Sequence, residues 1–317
     1  MEYNKAITDM RIGDEVEGFY ILKGAYPKVT ASGKPFLNAT LSDATGAIEA
    51  QVWDYSGPIG KADEGKVVKV SGTVTEFKGS AQVSMNSLRL ADPSDSYDVA
   101  ALVPVAPIDV EQSLVTVLEL LHSIADEDYR RIALELFRRH QENFRQIPAA
   151  KSVHHGFLNG LLMHTVNMMK TADFLAKLYS DTVDRSLLLA GTFAHDLQKE
   201  TEFARSELGL VTGYTTKGDL LGHLVMGAQE VAQVARELEL PEEKSVLLQH
   251  LILSHHGEPD YGAAVRPVCA ESELLAYIDQ IDSRMEIYRE TFDKLEDGQF
   301  SNRIFALDKR IYKHPIG

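Results

Sequence analysis

Eight of the eleven histidines in this 317-residue chain fall between residues 154 and 256. Imidazole is a metal ligand, a proton carrier and a pH-dependent cation, so such crowding within one helical stretch needs a chemical reason. The most telling segment is AGTFAHDLQKE, in which His195 and Asp196 end an apolar run, LLLAGTFAHDL. Adjacent residues on a helix point about 100° apart, so this pair can clasp one metal ion or bridge two. A carboxylate can span two ions, and neutral imidazole suits Mn, Fe, Co, Ni or Zn.

Further ligand types recur in order along the chain. His164 lies in GLLMHTV, His223 in DLLGHLV, His255-His256 in LILSHHGE and Asp279 in LLAYIDQID. Each sits in an apolar helical segment, hence in an interior where an unpaired imidazole or carboxylate is costly. Taken singly, His164 or His223 reads as a hydrogen-bonded core histidine, and Asp279 as a buried aspartate paired with Arg284 or a tyrosine. Five such events on consecutive helices are not independent, and together they point to a metal site. Lys199, three residues after Asp196, shares nearly the same helical face. Its cation could hold a phosphate oxygen; the alternative is a surface lysine paired with Glu200 or Glu202. His250 diverges from His255 on a helix and is expected behind the ligands, as is Asp282. His154 and His155 could touch a substrate phosphate or be polar residues that begin a helix. His122, His140 and His314 are expected to face solvent, and Cys269 to be a packed thiol.

These residues need a scaffold. Within residues 11–91 the segments VEGFYILKGAY, FLNATLSD, AIEAQVWD, KVVKVSGTVTEF and AQVSMNSLRL read as strands, rich in Val, Phe, Tyr and Thr and mostly alternating in polarity. Ser32-Gly33-Lys34-Pro35, Asp43-Ala44-Thr45-Gly46, Gly57-Pro58 and Lys78-Gly79-Ser80 supply the turns. Strands this closely spaced suggest a small closed barrel. Residues 92–110, with Pro93, Pro104 and Pro107, read as a linker. Apolar spacing then becomes helical over 110–144, 157–178, 184–198, 219–238, 243–255 and 271–295. The expected fold is a multidomain β + α chain: a barrel over 1–91, a linker over 92–110 and an all-α bundle over 111–317.

The composition, 44% hydrophobic and 25% charged, is that of a globular protein with a sizeable core. No apolar run is long enough for a membrane span. The first residues lack the pattern of a signal peptide, and the single cysteine forbids an internal disulfide; a cytoplasmic location is the expectation. The net charge is −15, divided as −3 over residues 1–95 (ten Lys and Arg against thirteen Asp and Glu) and −12 over the rest. Nucleic acid would thus be held by local patches and bound metal, not by a global positive field.

The order His164, His195-Asp196, His223, His255-His256, Asp279 resembles the HD-domain superfamily of metal-dependent phosphohydrolases. HHGFLNGLLMHTV, AGTFAHDLQKETEF, LLGHLVMGAQEV, LQHLILSHHGEPDYG and ELLAYIDQIDSRM are similar to one branch, the YhaM-type 3′→5′ exoribonucleases. SGKPFLNATLSDATGAIEAQVWD and KVVKVSGTVTEFKGSAQ are similar to the OB-type barrel of that branch, so the resemblance covers nearly the whole chain. One departure is Gln198, where the family tends to have glycine; the ligands are intact.

The resemblance implies a site in which His164, His195, Asp196 and Asp279 hold one divalent ion. Asp196 would bridge to a second held by His223 and one or both of His255 and His256. Two Mn²⁺ ions are the expected cofactor, with Co²⁺, Fe²⁺, Ni²⁺ or Mg²⁺ as other candidates. Asp196 and Lys199 would carry catalysis through a metal-activated hydroxide attacking phosphorus in line. The implied substrate is single-stranded RNA, with DNA as a further candidate, released as nucleoside monophosphates. On the barrel, Phe36, Trp53 and Phe77 are candidate base platforms, with Lys34, Lys69 and Lys78 nearby. Each aromatic taken alone reads more readily as core, and Trp53 follows an alternation that could turn it inward. The competing functions are an HD phosphohydrolase of small or cyclic nucleotides with a regulatory or assembly barrel, and a nucleic-acid-binding protein whose HD site is structural. A homo-oligomer is compatible with the sequence.

Overall fold

Residue alternation builds the first unit. The computed structural model describes residues 2–30, 32–77, 79–149, 157–206 and 208–315. A short β1 (Glu2–Tyr3) runs parallel to the start of β2 (Glu15–Val29), which is followed by β3 (Pro35–Ser42), β4 (Ala47–Trp53), β5 (Val67–Phe77) and β6 (Ser80–Leu90). Antiparallel pairs join β2 to β3, β3 to β4, and β5 to β6. β4 and β6 pair in parallel, and β2 also pairs with β5, which closes the barrel. β2 serves both neighbours in turn: residues 15–21 pair with β5, and residues 21–29 with β3, with a register shift between Leu22 and Gly24. Bulges of this kind bend a strand and allow closure. Leu37, Ala39, Leu41, Ala50, Val68, Val70 and Val83 are fully buried inside it. At the second register shift, between Ser71 and Gly72, a Cβ on Gly72 would lie 2.4 Å from the Ser84 carbonyl oxygen. That close approach admits only glycine.

The chain divides into two compact units, residues 1–105 with 205–212, and residues 106–204 with 213–317. The stretch read as a linker contains a short helix, α1 (Val99–Leu102), and buries Leu102 and Val103. In the second unit α2 (Val110–His122), α3 (Glu127–Phe144) and α5 (Arg185–Ala194) each begin at an aspartate whose carboxylate accepts a backbone N–H of the first turn. α4 spans Gly160–Leu178. Nine consecutive residues of α5, from Ser186 to Ala194, are buried, which makes it the central helix of the bundle. α6 (Lys199–Glu202), a two-stranded sheet of β7 (Phe203–Arg205) and β8 (Val211–Tyr214), α7 (Thr216–Glu237), α8 (Glu242–Ser254) and α9 (Ala270–Phe292) follow.

Two departures from the sequence reading concern the site. The helix expected over 184–198 stops at Ala194, and residues 195–198 form turns, with Lys199 N–H donating to the Asp196 carbonyl at 3.0 Å. α7 begins earlier than expected and breaks at Gly222, whose φ of 69° and ψ of 162° are not helical. Both breaks immediately precede or contain ligand-type side chains. The β7 and β8 strands are too short to show a period in the sequence. Among the described residues no helix is long and apolar enough to cross a membrane.

Candidate metal centre

Four imidazoles are held in the same way. His195 Nδ1 donates to the Thr192 carbonyl at 2.7 Å, and His255 Nδ1 to the Ile252 carbonyl at 2.7 Å. His164 Nδ1 lies 2.7 Å from Asp282 Oδ2, and His223 Nδ1 lies 3.0 Å from Glu202 Oε2. A carbonyl or carboxylate only accepts, so each Nδ1 carries a proton, and in the neutral ring that a metal requires Nε2 presents a lone pair. This is how proteins orient metal-binding histidines.

The four Nε2 atoms converge on Asp196. Its Oδ2 lies 3.2 Å from His195 Nε2 and 3.7 Å from His164 Nε2. Its Oδ1 lies 3.4 Å from His223 Nε2 and 3.7 Å from His255 Nε2. The two oxygens of one carboxylate therefore face two different histidine pairs. Asp279 Oδ1 joins the first side, 3.3 Å from His164 Nε2. Ligand atoms of His164, His195 and Asp196 lie within 4.8 Å of one another, as do those of His223, His255 and His256. His164, His195, Asp196 and His255 are all no more than 2% exposed. Asp196 Oδ1 and His223 Nε2 are buried without a hydrogen-bond partner, as is Nδ1 of the half-buried His256. Orphaned buried atoms are costly unless something else satisfies them, and a donor set of imidazole and carboxylate fits divalent transition metals. The residues present thus fit a metal centre.

Charge in the cluster is tightly coupled. Burial opposes ionisation of Asp196, yet Lys199 and His195 hold its carboxyl well below the usual range. Lys199 Nζ donates to Asp196 Oδ2 at 2.6 Å, and despite burial this carboxylate keeps the ammonium above its ordinary pKa. Lys199 is not the surface lysine of the alternative reading. Burial would lower His164, but bonds to Asp279 and Asp282 push it up to about 9. Burial, and next His256, depress His255 strongly; burial, and next His223, lower His256. Both remain neutral and available as ligands.

Several expectations are corrected. His140, expected at the surface, is 4% exposed, because α3 turns it toward Glu200 and Glu230. His250 accepts from Val268 N–H at 3.2 Å and holds that loop. Glu202, which the sequence offers only as a possible partner of Lys199, is the partner of His223; a glutamate in KETE is indistinguishable by pattern from a solvated one. Trp53, which could have faced inward, is 52% exposed, since Ile48, Ala50 and Val52 take the interior side of β4. Trp53 is the register partner of Phe36, and the rings stack with centroids 5.2 Å apart. Phe77 is 53% exposed. Lys34 Nζ lies 3.7 Å from Asp54, both well exposed. Lys69 pairs with Glu17 at 3.5 Å. Lys78, His154 and His155 lie outside the described residues.

Comparison with known proteins agrees with both units. The HD domain family matches residues 161–284, and the OB-fold nucleic acid binding domain family matches residues 22–91. Among solved structures, the chain is similar to the second OB-fold domain of replication protein A from Methanococcus maripaludis, at 18% identity over 31% of this chain and 100% of that one, TM-score 0.23. It is also similar to an OB domain from Thermoplasma acidophilum, at 17% identity over 31% of this chain and 92% of that one, TM-score 0.25. An OB domain from Methanosarcina mazei gives 20% identity over 31% and 90%, TM-score 0.25. The chain therefore joins an N-terminal OB-fold barrel to an HD domain, the domain of metal-dependent phosphohydrolases.

Proposed function

We propose that the protein is a metal-dependent 3′→5′ exoribonuclease acting on single-stranded RNA, with DNA as a further substrate. The observation that carries the hydrolytic reading is Asp196, one carboxylate whose two oxygens each face a histidine pair. His164, His195, Asp196 and Asp279 would hold one ion, and Asp196, His223, His255 and His256 a second; Mn²⁺ suits this nitrogen and oxygen set. Two bound divalent ions would supply an activated water nucleophile and Lewis acidity at the phosphoryl oxygens. Lys199 keeps the Asp196 carboxylate ionised and brings a cation to the edge of the ligand set, where charge develops on phosphate. The paired rings of Phe36 and Trp53, with exposed Phe77 and Lys34, would carry unstacked bases on the barrel. Lys78, His154 and His155 remain candidates for phosphate contact.

Incubation of a 5′-labelled single-stranded RNA with Mn²⁺ tests this. Stepwise shortening from the 3′ end with release of nucleoside monophosphates is expected. Internal cleavage, or no cleavage of RNA, would refute the exonuclease. The net charge of −15 favours a second reading, a small or cyclic nucleotide substrate; hydrolysis of those alone would establish it.

A further inference from the structure

Beside the metal cluster, and apart from it, lies an ionic triad of a buried histidine and two half-buried glutamates. His140 on α3 sits with Nε2 2.9 Å from Glu230 Oε2 on α7 and Nδ1 3.1 Å from Glu200 Oε1 on α6. Gln198 Nε2 donates to the same Glu230 Oε2 at 2.7 Å. Three separate elements are thus tied at one point. None of these four side chains belongs to the ligand set.

We infer that His140 is a positioning residue for the hydrolytic site: clamped between Glu200 and Glu230, it fixes the turn 198–202 that aims Lys199 at Asp196 and Glu202 at His223. The turn needs such a fastening. α6 has four residues, too few to sustain a helix by its own hydrogen bonds. Within it, Lys199 reaches Asp196 Oδ2 at 2.6 Å, and Glu202 accepts from both His223 N–H, at 3.1 Å, and His223 Nδ1, at 3.0 Å. The turn therefore steadies the bridging carboxylate on one side and a histidine of the second set on the other. Glu230 lies seven residues after His223, two turns along the same helix, so the clamp and the ligand share one rigid element. His140 Nε2 is hydrogen-bonded to Glu230, while Nδ1 lies at ion-pair distance from Glu200 without hydrogen-bond alignment; burial alone would lower its pKa, but the two glutamates push it up to about 9. A buried ion set of this kind adds little stability over an apolar one of equal volume. Its contribution here is geometry.

The inference rests on the metal-centre reading, and the experiment separates the two. Mn²⁺ affinity of the full chain is measured by titration calorimetry, and kcat and KM on bis(p-nitrophenyl) phosphate, for wild type, the double variant His140→Gln/Glu230→Gln and the single variant Gln198→Ala. The double variant leaves no uncompensated charge between its two substituted positions. Its Mn²⁺ affinity is expected to fall about tenfold, as for outer partners of metal ligands, with kcat lowered and KM little changed. Gln198→Ala, which cuts one arm only, should shift affinity in the same direction by about threefold, on the scale set by that tenfold loss. Ile132→Val, a core change remote in chemistry from the clamp, controls for general loosening and should leave affinity unchanged. Folded clamp variants with wild-type affinity and kcat would overturn the inference alone, as would an equal loss in Ile132→Val. Should the double variant fail to fold, an unshifted Gln198→Ala would overturn it. A wild-type chain that binds no Mn²⁺ would remove the metal-centre reading itself.

Discussion

Glu202 and His223 are joined twice: the carboxylate accepts from the His223 backbone N–H and from its Nδ1, at 3.1 and 3.0 Å, across 21 residues of chain. The first bond falls directly after Gly222, whose φ of 69° and ψ of 162° break α7. The second sets the tautomer that aims Nε2 at Asp196. Burial opposes ionisation of Glu202, but His223 holds its carboxyl below the ordinary value. Glu202→Ala should therefore weaken metal binding about 10- to 100-fold. Titration calorimetry with Mn²⁺ checks this, and unchanged affinity would show that His223 is not a ligand.

Asp196 is the shared element of both histidine sets. Asp196→Ala should abolish metal binding and hydrolysis together, whereas loss of His223 alone should spare part of the metal content. Elemental analysis of purified variants alongside a hydrolysis assay decides. Full activity in Asp196→Ala would rule out the bridged site.

Trp53 is the sole tryptophan, exposed and stacked on Phe36, so its own fluorescence reports on the barrel surface. Single-stranded RNA should quench it. Trp53→Ala should reduce RNA affinity by about 1–3 kcal/mol per lost base stack, with Tm unchanged because the ring contributes nothing to the barrel interior. Quenching by neither RNA nor DNA would count against this face as the binding surface.

His140 links stability to pH. Its folded pKa, about 9, exceeds the unfolded value of 6.5, so the folded state holds a proton that the unfolded chain has released. The contribution is complete below about pH 6.5 and is lost as pH rises through 9. Glu200 and Glu230 face it, and despite burial His140 holds the Glu230 carboxyl below its ordinary value. Tm should thus decline from pH 7 to 9.5 more steeply in wild type than in His140→Gln. Parallel curves in a calorimetric pH series would show that His140 is neutral in the folded protein.

Gly72 is required by the closeness of β6. Gly72→Ala places a carbon 2.4 Å from the Ser84 carbonyl oxygen and should cost the barrel about 1–3 kcal/mol. Urea unfolding, read by Trp53 fluorescence, measures it.

Much of this molecule was legible in one dimension. Strand alternation is a local property, so the runs that became β2 to β6 could be read from polarity alone, and helical spacing marked α2, α3, α4, α8 and α9. His164, His195, Asp196, His223, His255 and Asp279 stood out because a polar ligand type inside an apolar helical run is expensive, and that cost is visible in sequence. Trp53 obeys the same local rule: in AIEAQVW it shares its face with Glu49 and Gln51, while Ile48, Ala50 and Val52 fill the barrel. His140 looked like a solvent-facing residue in an arginine-rich helix; its carboxylate partners lie 60 and 90 residues away. Glu202 and Asp282 reach their histidines across 21 and 118 residues. Residue type determined which groups could bind a metal. The tertiary structure decided which nitrogen of His164 and His223 points inward, and that both oxygens of Asp196 are shared, because these depend on groups far apart in sequence that only folding brings together.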